Sequence, residues 1–219
     1  MTALLLGSIS TVADTSELQR QAFNQAFEAH GLNWRWDQHQ YQAMLSKSGG
    51  QARIADYAQS LGQAVDAKAV HETKSRIFQQ KLAKGGLVPR PGVVDSIKRV
   101  KSNGWKVALV TTTSAANVSA LLDALRPELS ASDFDVIVDA ASVELPKPDK
   151  AAYLFALQQL GQVPGECVAV EDNAGGFHAA VAAGVRCIAF PNENTGGGAF
   201  TGAERVVDRL DAAELLAVS

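Results

Sequence analysis

Short apolar segments alternate with segments of helical periodicity along most of the chain, and this alternation sets the strongest limit on its fold. Continuous apolar runs predict strands over residues 3–6, 106–111, 134–138, 167–170 and 186–190, with a short edge strand at Val206-Val207. Helical spacing predicts helices over residues 93–100, 117–125, 149–160 and 174–183. Because a strand–helix–strand unit returns its second strand parallel to the first, the sequence predicts an α/β fold with a doubly wound, Rossmann-like parallel sheet.

A region after the first strand interrupts this pattern, because residues 15–87 show helical periodicity only. A first helix begins near Asp14 or Thr15, either of which can cap it. Further helices are predicted over residues 38–45, 52–60 and 67–82, and Trp34 and Trp36 are predicted to pack among them. The predicted division is therefore an α/β core of residues 1–14 and 88–219 with an inserted all-helical cap of residues 15–87.

Composition excludes several classes of protein. Of the 219 residues, 47% are hydrophobic and 20% charged, which indicates an ordered globular chain. The formal net charge of -3 gives no basic excess for nucleic acid. No apolar run approaches the roughly 20 residues that span a bilayer. The apolar opening lacks a basic region and a cleavage site, so we expect a buried strand and a cytoplasmic protein. Cys167 and Cys187 are predicted to be buried thiols.

Ligands of doubly wound sheets bind beyond the carboxyl ends of the strands. Four loops of this chain should meet there, at residues 7–11, 111–114, 138–147 and 171–173. A fifth segment, residues 192–198, is rich in asparagine and glycine. It is predicted to be a mobile connection, and a phosphate-cradling role is the alternative.

These loops carry a motif set that resembles the haloacid dehalogenase-like superfamily, and most closely its CbbY and β-phosphoglucomutase-like branch. Family members open with a strand followed by Asp-x-Asp-Gly-Thr-x-x-Asp-[Thr/Ser], and residues 7–15 of this chain read GSISTVADT. Matches to the later motifs are Thr111-Thr112-Thr113-Ser114, Lys147-Pro148-Asp149 and Glu171-Asp172-Asn173. Ser48-Gly49-Gly50-Gln51-Ala52-Arg53 resembles the cap motif of the branch. The resemblance covers essentially the whole chain.

The resemblance implies phosphoryl transfer to a carboxylate nucleophile, with a second carboxylate as general acid and base and Mg²⁺ held by oxygen ligands. Carried over position by position, Thr111, Thr112 and Lys147 would hold the transferred phosphoryl group. Arg53 would contact a second phosphate from the cap, and Glu171 and Asp172 would be the remaining metal ligands.

The nucleophile and acid/base positions depart from the family pattern. They hold Gly7 and Ile9, neither of which can accept a phosphoryl group or carry a proton. Ser8 and Ser10 flank them and are expected to lack a base. Gln19 and Gln51 replace a family histidine and lysine of the cap. We therefore expect no cofactor, and Mg²⁺ binding that is weak or absent, since one acidic pair is a poor octahedral site.

The function predicted from these residues is a phosphatase fold with impaired catalysis that binds a small phosphorylated ligand, inorganic phosphate or a protein partner. The alternative is a sugar-phosphate phosphatase or phosphomutase that works by a non-standard route. Several site residues also have a structural explanation. The threonine at position 111 could be present for its strand propensity alone. Lys147 could pair with Glu171 or Asp172, Asp172 could cap the helix after it, and Arg53 could form a structural salt bridge. Restoring Asp at positions 7 and 9 is expected to restore activity if the rest of the site is intact.

Overall fold

The computed structural model describes residues 3–45 and 49–217, and these residues confirm the predicted sheet. Five strands run in the order β3-β2-β1-β4-β5, and every pairing is parallel. The strands are β1 (Ala3–Gly7), β2 (Lys106–Val110), β3 (Val136–Val138), β4 (Cys167–Glu171) and β5 (Arg186–Ala189). β1 lies at the centre, so its carboxyl end opens onto the middle of the sheet edge.

Helices cover both faces of the sheet and form the inserted cap. The cap helices are α2 (Ser16–Ala29), α3 (Gln38–Met44), α4 (Gly50–Ser60) and α5 (Ala67–Leu82). The core helices are α1 (Ile9–Val12), α6 (Val93–Ser102), α7 (Ala115–Ala124), α8 (Ala151–Leu160), α9 (Ala174–Ala182) and α10 (Ala212–Ala217). Ser48, which opens the cap motif, lies outside the described residues. The exact domain boundaries stay a prediction.

Side chains of the central strands alternate between two apolar layers, as a sheet covered on both faces requires. Leu4 and Leu6 pack with α6 and α7 on one face, whereas Leu5 packs with α8 and α9 on the other. A third cluster fills the cap and includes Phe23, Phe27, Trp34, Trp36 and Tyr41. Trp36 is fully buried between these rings, which confirms the predicted packing of the two tryptophans.

Two local predictions were incomplete or wrong. A short helix, α1, follows β1 directly and was not predicted. The turn between them places Ser8 at φ 55°, a conformation rare for residues other than glycine. Val206 forms a single isolated bridge to Ala189 and not the predicted edge strand. Within the described ranges, no helix is both long and apolar enough to cross a membrane.

Candidate functional site

A cleft of about 530 Å³ lies between the carboxyl edge of the sheet and the cap. Its core wall includes Ser8, Thr111, Thr112, Lys147 and Asp172. Its cap wall includes Arg53, His71 and Lys74, which belong to α4 and α5. The structure therefore brings the predicted phosphate-binding candidates of the core and the cap candidate Arg53 into one cavity.

Contacts between cap and core hold the two walls together. The Gln79 amide of α5 donates to Asn117 Oδ1 of α7 over 2.9 Å. On the opposite side, Asn194 Nδ2 donates to Ser16 Oγ over 3.0 Å, and Gln42 Nε2 donates to the Glu193 carbonyl. These bonds join neutral groups, so the observed closure does not depend on an ion pair among them.

The nucleophile position is filled by other side chains. A Cβ built on Gly7 would overlap the Glu171 carboxylate and the Tyr153 hydroxyl. Glu171 has no exposed surface, and a Cβ built on Gly176, in the first turn of α9, would also overlap its carboxylate. The Glu171 side chain therefore occupies the space between β1 and α9 that glycine leaves free at both positions.

Lys147 pairs with this buried carboxylate. Its Nζ lies 2.5 Å from Glu171 Oε1 and donates to the Val110 carbonyl over 2.7 Å. The Tyr153 hydroxyl donates to the same Oε1 over 2.7 Å. The structure thus contains the Lys147–Glu171 pairing that was one of the two predicted roles of Lys147. Glu171 Oε2 is buried and has no hydrogen-bond partner among the described residues. Burial raises the pKa of Glu171, and the charge of Lys147 opposes that rise.

Asp172 faces the cleft within a set of neutral donors. Its Oδ1 accepts a hydrogen bond from Asn173 Nδ2, and its Oδ2 accepts one from Asn192 Nδ2, both over 2.9 Å. Burial raises the pKa of Asp172, and hydrogen bonds from Ser8 and Asn173 oppose that rise. The alternative prediction that Asp172 caps α9 is wrong, because the side chain of Asn173 accepts the Gly176 N–H and forms the cap.

Ser8 was expected to lack a base, and the structure places one carboxylate near it. Ser8 lines the cleft, and its hydroxyl lies near enough to Asp172 to lower the pKa of that carboxyl. Its Oγ also accepts the Ser10 N–H over 3.0 Å, which caps α1. A hydroxyl with a carboxylate beside it therefore stands next to the nucleophile position.

Asp14, in contrast, behaves as predicted at the start of α2. Its Oδ1 accepts hydrogen bonds from the Ser16 backbone N–H over 3.0 Å and from the Ser16 hydroxyl over 2.7 Å. The carboxylate satisfies one of the free N–H groups at the helix start.

The cap wall is basic and largely dehydrated. The Arg53 guanidinium contacts the Phe23 and Tyr41 rings, and its Nε donates to the Met44 carbonyl over 3.1 Å. Burial lowers the pKa of Lys74 to about 7, and the charge of Arg53 lowers it further. Burial and the charges of Lys74 and Arg53 lower the pKa of His71 to about 4. An anion entering the cleft at neutral pH would therefore meet the guanidinium groups of Arg53 and Arg76, whereas His71 is neutral.

Lys74→Met is expected to raise the free energy of unfolding at neutral pH by about 1–3 kcal/mol, because it removes a buried charge and retains the apolar stem. A lysine whose pKa falls from 10.5 to about 7 on folding makes the native state more stable as pH rises between those values. The gain from the substitution should therefore shrink toward alkaline pH. Urea unfolding at several pH values measures it, with the exposed Lys68→Met on the same helix as control. A loss of stability would contradict this expectation.

Comparison with known proteins assigns the family. A model of the haloacid dehalogenase-like hydrolases matches residues 10–190. The chain belongs to this family. It is 38% identical to Protein CbbY of Rhodobacter capsulatus, over 99% of this chain and 96% of that protein. The structure of CbbY from Rhodobacter sphaeroides in complex with phosphate matches with a TM-score of 0.88 and 36% identity, over 95% of this chain and 94% of that one. A phosphorylated carbohydrates phosphatase of Thermotoga maritima is 30% identical, over 86% of this chain and 84% of that protein.

These matches confirm the predicted resemblance to the CbbY branch and the predicted fold. Phosphatases of the haloacid dehalogenase-like family are generally Mg²⁺-dependent. The donor set of this chain does not fit that ion. Mg²⁺ requires near-octahedral oxygen ligation, yet one oxygen of Glu171 is taken by Lys147 and Tyr153, and both oxygens of Asp172 accept amide hydrogen bonds. Residues 3–45 and 49–217 contain no group of three acidic, histidine or cysteine side chains placed to hold a metal.

Sequence reasoning missed several residues of the site. Lys74 and His71 lie in a polar stretch of α5 that reads as a solvated helix face, and only the packing of α2 against it buries Lys74. Tyr153 reads as a core residue of α8, and nothing in its spacing indicates a bond to Glu171. The asparagine-rich segment was predicted to be a mobile connection, yet Asn192 is buried and donates to Asp172 Oδ2.

Proposed function

We propose that this chain binds a phosphorylated small molecule in the cap–core cleft and does not form an aspartyl phosphate. The observation that carries the proposal is the Glu171 carboxylate in the space of the nucleophile side chain, where Lys147 neutralises it. A carboxylate with no exposed surface cannot reach the phosphorus of a bound ester without leaving that position. Binding does not need the missing acids, since it depends on hydroxyls, amides and cations that the chain retains.

The ligand class follows from the lining of the cleft. Hydroxyl and amide groups form most of the core wall, and the guanidinium groups of Arg53 and Arg76 lie in the cap wall, which suits a polyhydroxylated anion. Two structures of CbbY from Rhodobacter sphaeroides hold phosphate and xylulose-1,5-bisphosphate respectively, and both match this chain with a TM-score of 0.88. These complexes support a sugar phosphate as the ligand.

Thr111→Val is expected to weaken the binding of inorganic phosphate by roughly tenfold or more, because a hydrogen bond to a charged ligand contributes about 1.5–3 kcal/mol. Thr111 lines the cleft at the end of β2, and its Oγ1 accepts the Thr113 N–H over 3.1 Å. Titration calorimetry measures the change. Thr201→Val, on an exposed turn, is the matched control and should bind as the native chain does. Equal affinities of all three proteins would remove Thr111 from the site.

Turnover separates the proposal from its competitor. Purified protein is assayed with Mg²⁺ against p-nitrophenyl phosphate and a panel of sugar phosphates, beside a Lys147→Ala control. Phosphate binding without turnover is the expected result. Hydrolysis by the native chain above the control would refute the absence of catalysis.

A second candidate function has one observation in its favour, the contact between Ser8 and Asp172. In that arrangement Asp172 would take the hydroxyl proton while Ser8 Oγ attacks the phosphorus, which forms a phosphoserine and releases the alcohol. If turnover is found, its loss in both Ser8→Ala and Asp172→Asn would assign the activity to this pair. Retention of turnover in Ser8→Ala would exclude this route.

A further inference from the structure

Lys74 lies in the cleft, but the proposed binding of phosphate by the core wall gives it no role. It has 4% exposure, yet it forms part of the cleft lining. Its Nζ donates to Gln19 Oε1 over 3.0 Å and lies 4.8 Å and 5.1 Å from the ring centroids of Phe23 and Phe78. Within residues 3–45 and 49–217, no carboxylate forms an ion pair with it. The position thus holds a dehydrated amine whose polar partner is neutral.

The charge of Arg53 opposes the protonation of Lys74. Arg53 approaches it from α4, and His71, Glu72 and Arg76 of its own helix line the same cleft. The α2 residue that contacts it, Gln19, carries no charge. Burial and the nearby guanidinium lower the pKa of Lys74 to about 7, so a large fraction of the side chain is free amine at neutral pH. A lowered pKa does not help a cation that only holds phosphate. A nucleophilic amine requires it, because only the unprotonated amine can attack.

We propose that Lys74 captures the carbonyl carbon of an open-chain sugar phosphate as an imine. The inference rests on the proposed function, because the cleft must first hold the phosphorylated ligand. The neutral Nζ attacks the carbonyl carbon and forms a C–N bond, and the carbonyl oxygen becomes a hydroxyl. One amine proton moves to the oxygen to make that hydroxyl, and the hydroxyl then leaves as water with the second amine proton, which leaves a C=N bond. One amine and one carbonyl thus give one imine and one water, without any oxidant or reductant.

His71 is the titratable neighbour of Lys74 one turn away on α5. It lies three residues before Lys74 on α5, so both side chains share one face of the helix. The pKa of His71 is lowered to about 4, so the ring is neutral near pH 7 and adds no positive charge beside Lys74, although it is a weak proton acceptor. Burial and the Arg53 charge, which depress the pKa of Lys74, therefore also keep its neighbour in the basic form.

Borohydride trapping tests the proposal. The native chain is incubated at about pH 7 with dihydroxyacetone phosphate, reduced with sodium borohydride and mapped by peptide mass spectrometry, and dihydroxyacetone serves as the unphosphorylated probe. The reduced adduct is expected on Lys74 about tenfold faster, or more, than on the exposed Lys68 of the same helix. The rate should rise with a midpoint near pH 7, the value set by its pKa. Lys74→Met should lose this adduct while Lys68→Met retains it.

Each outcome bears on one proposal or the other. No adduct at Lys74, or modification no faster than at Lys68, would overturn the imine while leaving phosphate binding untouched. A rate midpoint near that of an ordinary lysine would overturn it as well. Parallel titration with inorganic phosphate tests the proposed function separately. If Lys74 reacts equally with both probes and phosphate does not bind, the amine is reactive and the sugar-phosphate ligand is refuted.

Discussion

Gly7→Asp is expected to lower the free energy of unfolding by about 3 kcal/mol or more and to confer no phosphatase activity. The new Cβ would overlap the Glu171 carboxylate and the Tyr153 hydroxyl, both fully buried. The substitution would also add a second carboxylate beside Glu171, and like charges at that distance raise each other's pKa. Urea unfolding measures the loss. Gly165→Ala is the matched control, since a Cβ there meets nothing within 4 Å and the change should stay within about 0.5 kcal/mol.

A double-mutant cycle shows whether Glu171 is the cause. Removing its side chain in Gly7→Asp/Glu171→Ala should relieve the overlap and leave the introduced carboxylate as a new partner for Lys147, with a favourable coupling of about 1–3 kcal/mol. Additive losses would mean that the collision is relieved elsewhere. A stable Gly7→Asp protein that hydrolyses phosphate esters would contradict the whole interpretation of this position.

The overlap at position 7 argues against the expectation that restoring both acids restores activity, and that expectation stays a prediction. That expectation required an intact site, but an aspartate at position 7 would fit only if the end of the Glu171 side chain moved. Position 9 is unsuitable for a second reason, because Ile9 is 4% exposed and packs within an apolar cluster. An aspartate there would bury a charge among aliphatic side chains, which is strongly unfavourable.

Lys147→Met is expected to destabilise the protein by about 3–5 kcal/mol at neutral pH, because it leaves the Glu171 charge buried without its cation. The neighbouring Lys150→Met, at an exposed position, should have little effect and controls for the change of residue type. Lys147→Met/Glu171→Gln should recover most of the loss, since it removes both charges. If the single variant is as stable as the native chain, the pair does not hold the site together.

The pH dependence of this variant has a defined sign. Burial raises the pKa of Glu171, so its protonated form is favoured in the fold, and that contribution is present at low pH and lost as pH rises through the folded pKa. Without Lys147 the pKa rises further, because the opposing charge is gone. The destabilisation should therefore be smaller at about pH 5 than at about pH 8. A loss that is constant across this range would contradict the assigned cause.

Much of the architecture could be predicted because periodicity reports burial directly. Leu4 to Leu6 form a continuous apolar run, and the structure buries it on both faces of a central strand. The helix predicted over residues 67–82 was correct at both ends, because Asp66 caps it and the apolar spacing stops at Leu82. The loops that carry the site followed from the same pattern, since parallel strands deliver their carboxyl ends to one edge.

The chemistry of the site was less predictable, because it depends on where side chains point after packing. The sequence shows that both aspartates are absent, but it does not show that Glu171 occupies the space at position 7. The backbone at Ser8 adopts a conformation that residue type disfavours, so no propensity would place its hydroxyl beside Asp172. The sequence shows that Lys74 is a polar residue, but only the tertiary contacts show that it is buried, and burial is what alters its reactivity.

The Glu171 carboxylate, which fills the space beside position 7 of β1, also limits how this chain could be evolved in the laboratory. A selection for phosphatase activity that allows one substitution at a time would discard an aspartate at position 7. A protein with that substitution would be poorly folded and would not yet be active. The accessible route starts at position 171 with a smaller side chain, and only then admits the acid. Libraries that randomise both positions together should therefore recover variants that stepwise mutagenesis misses.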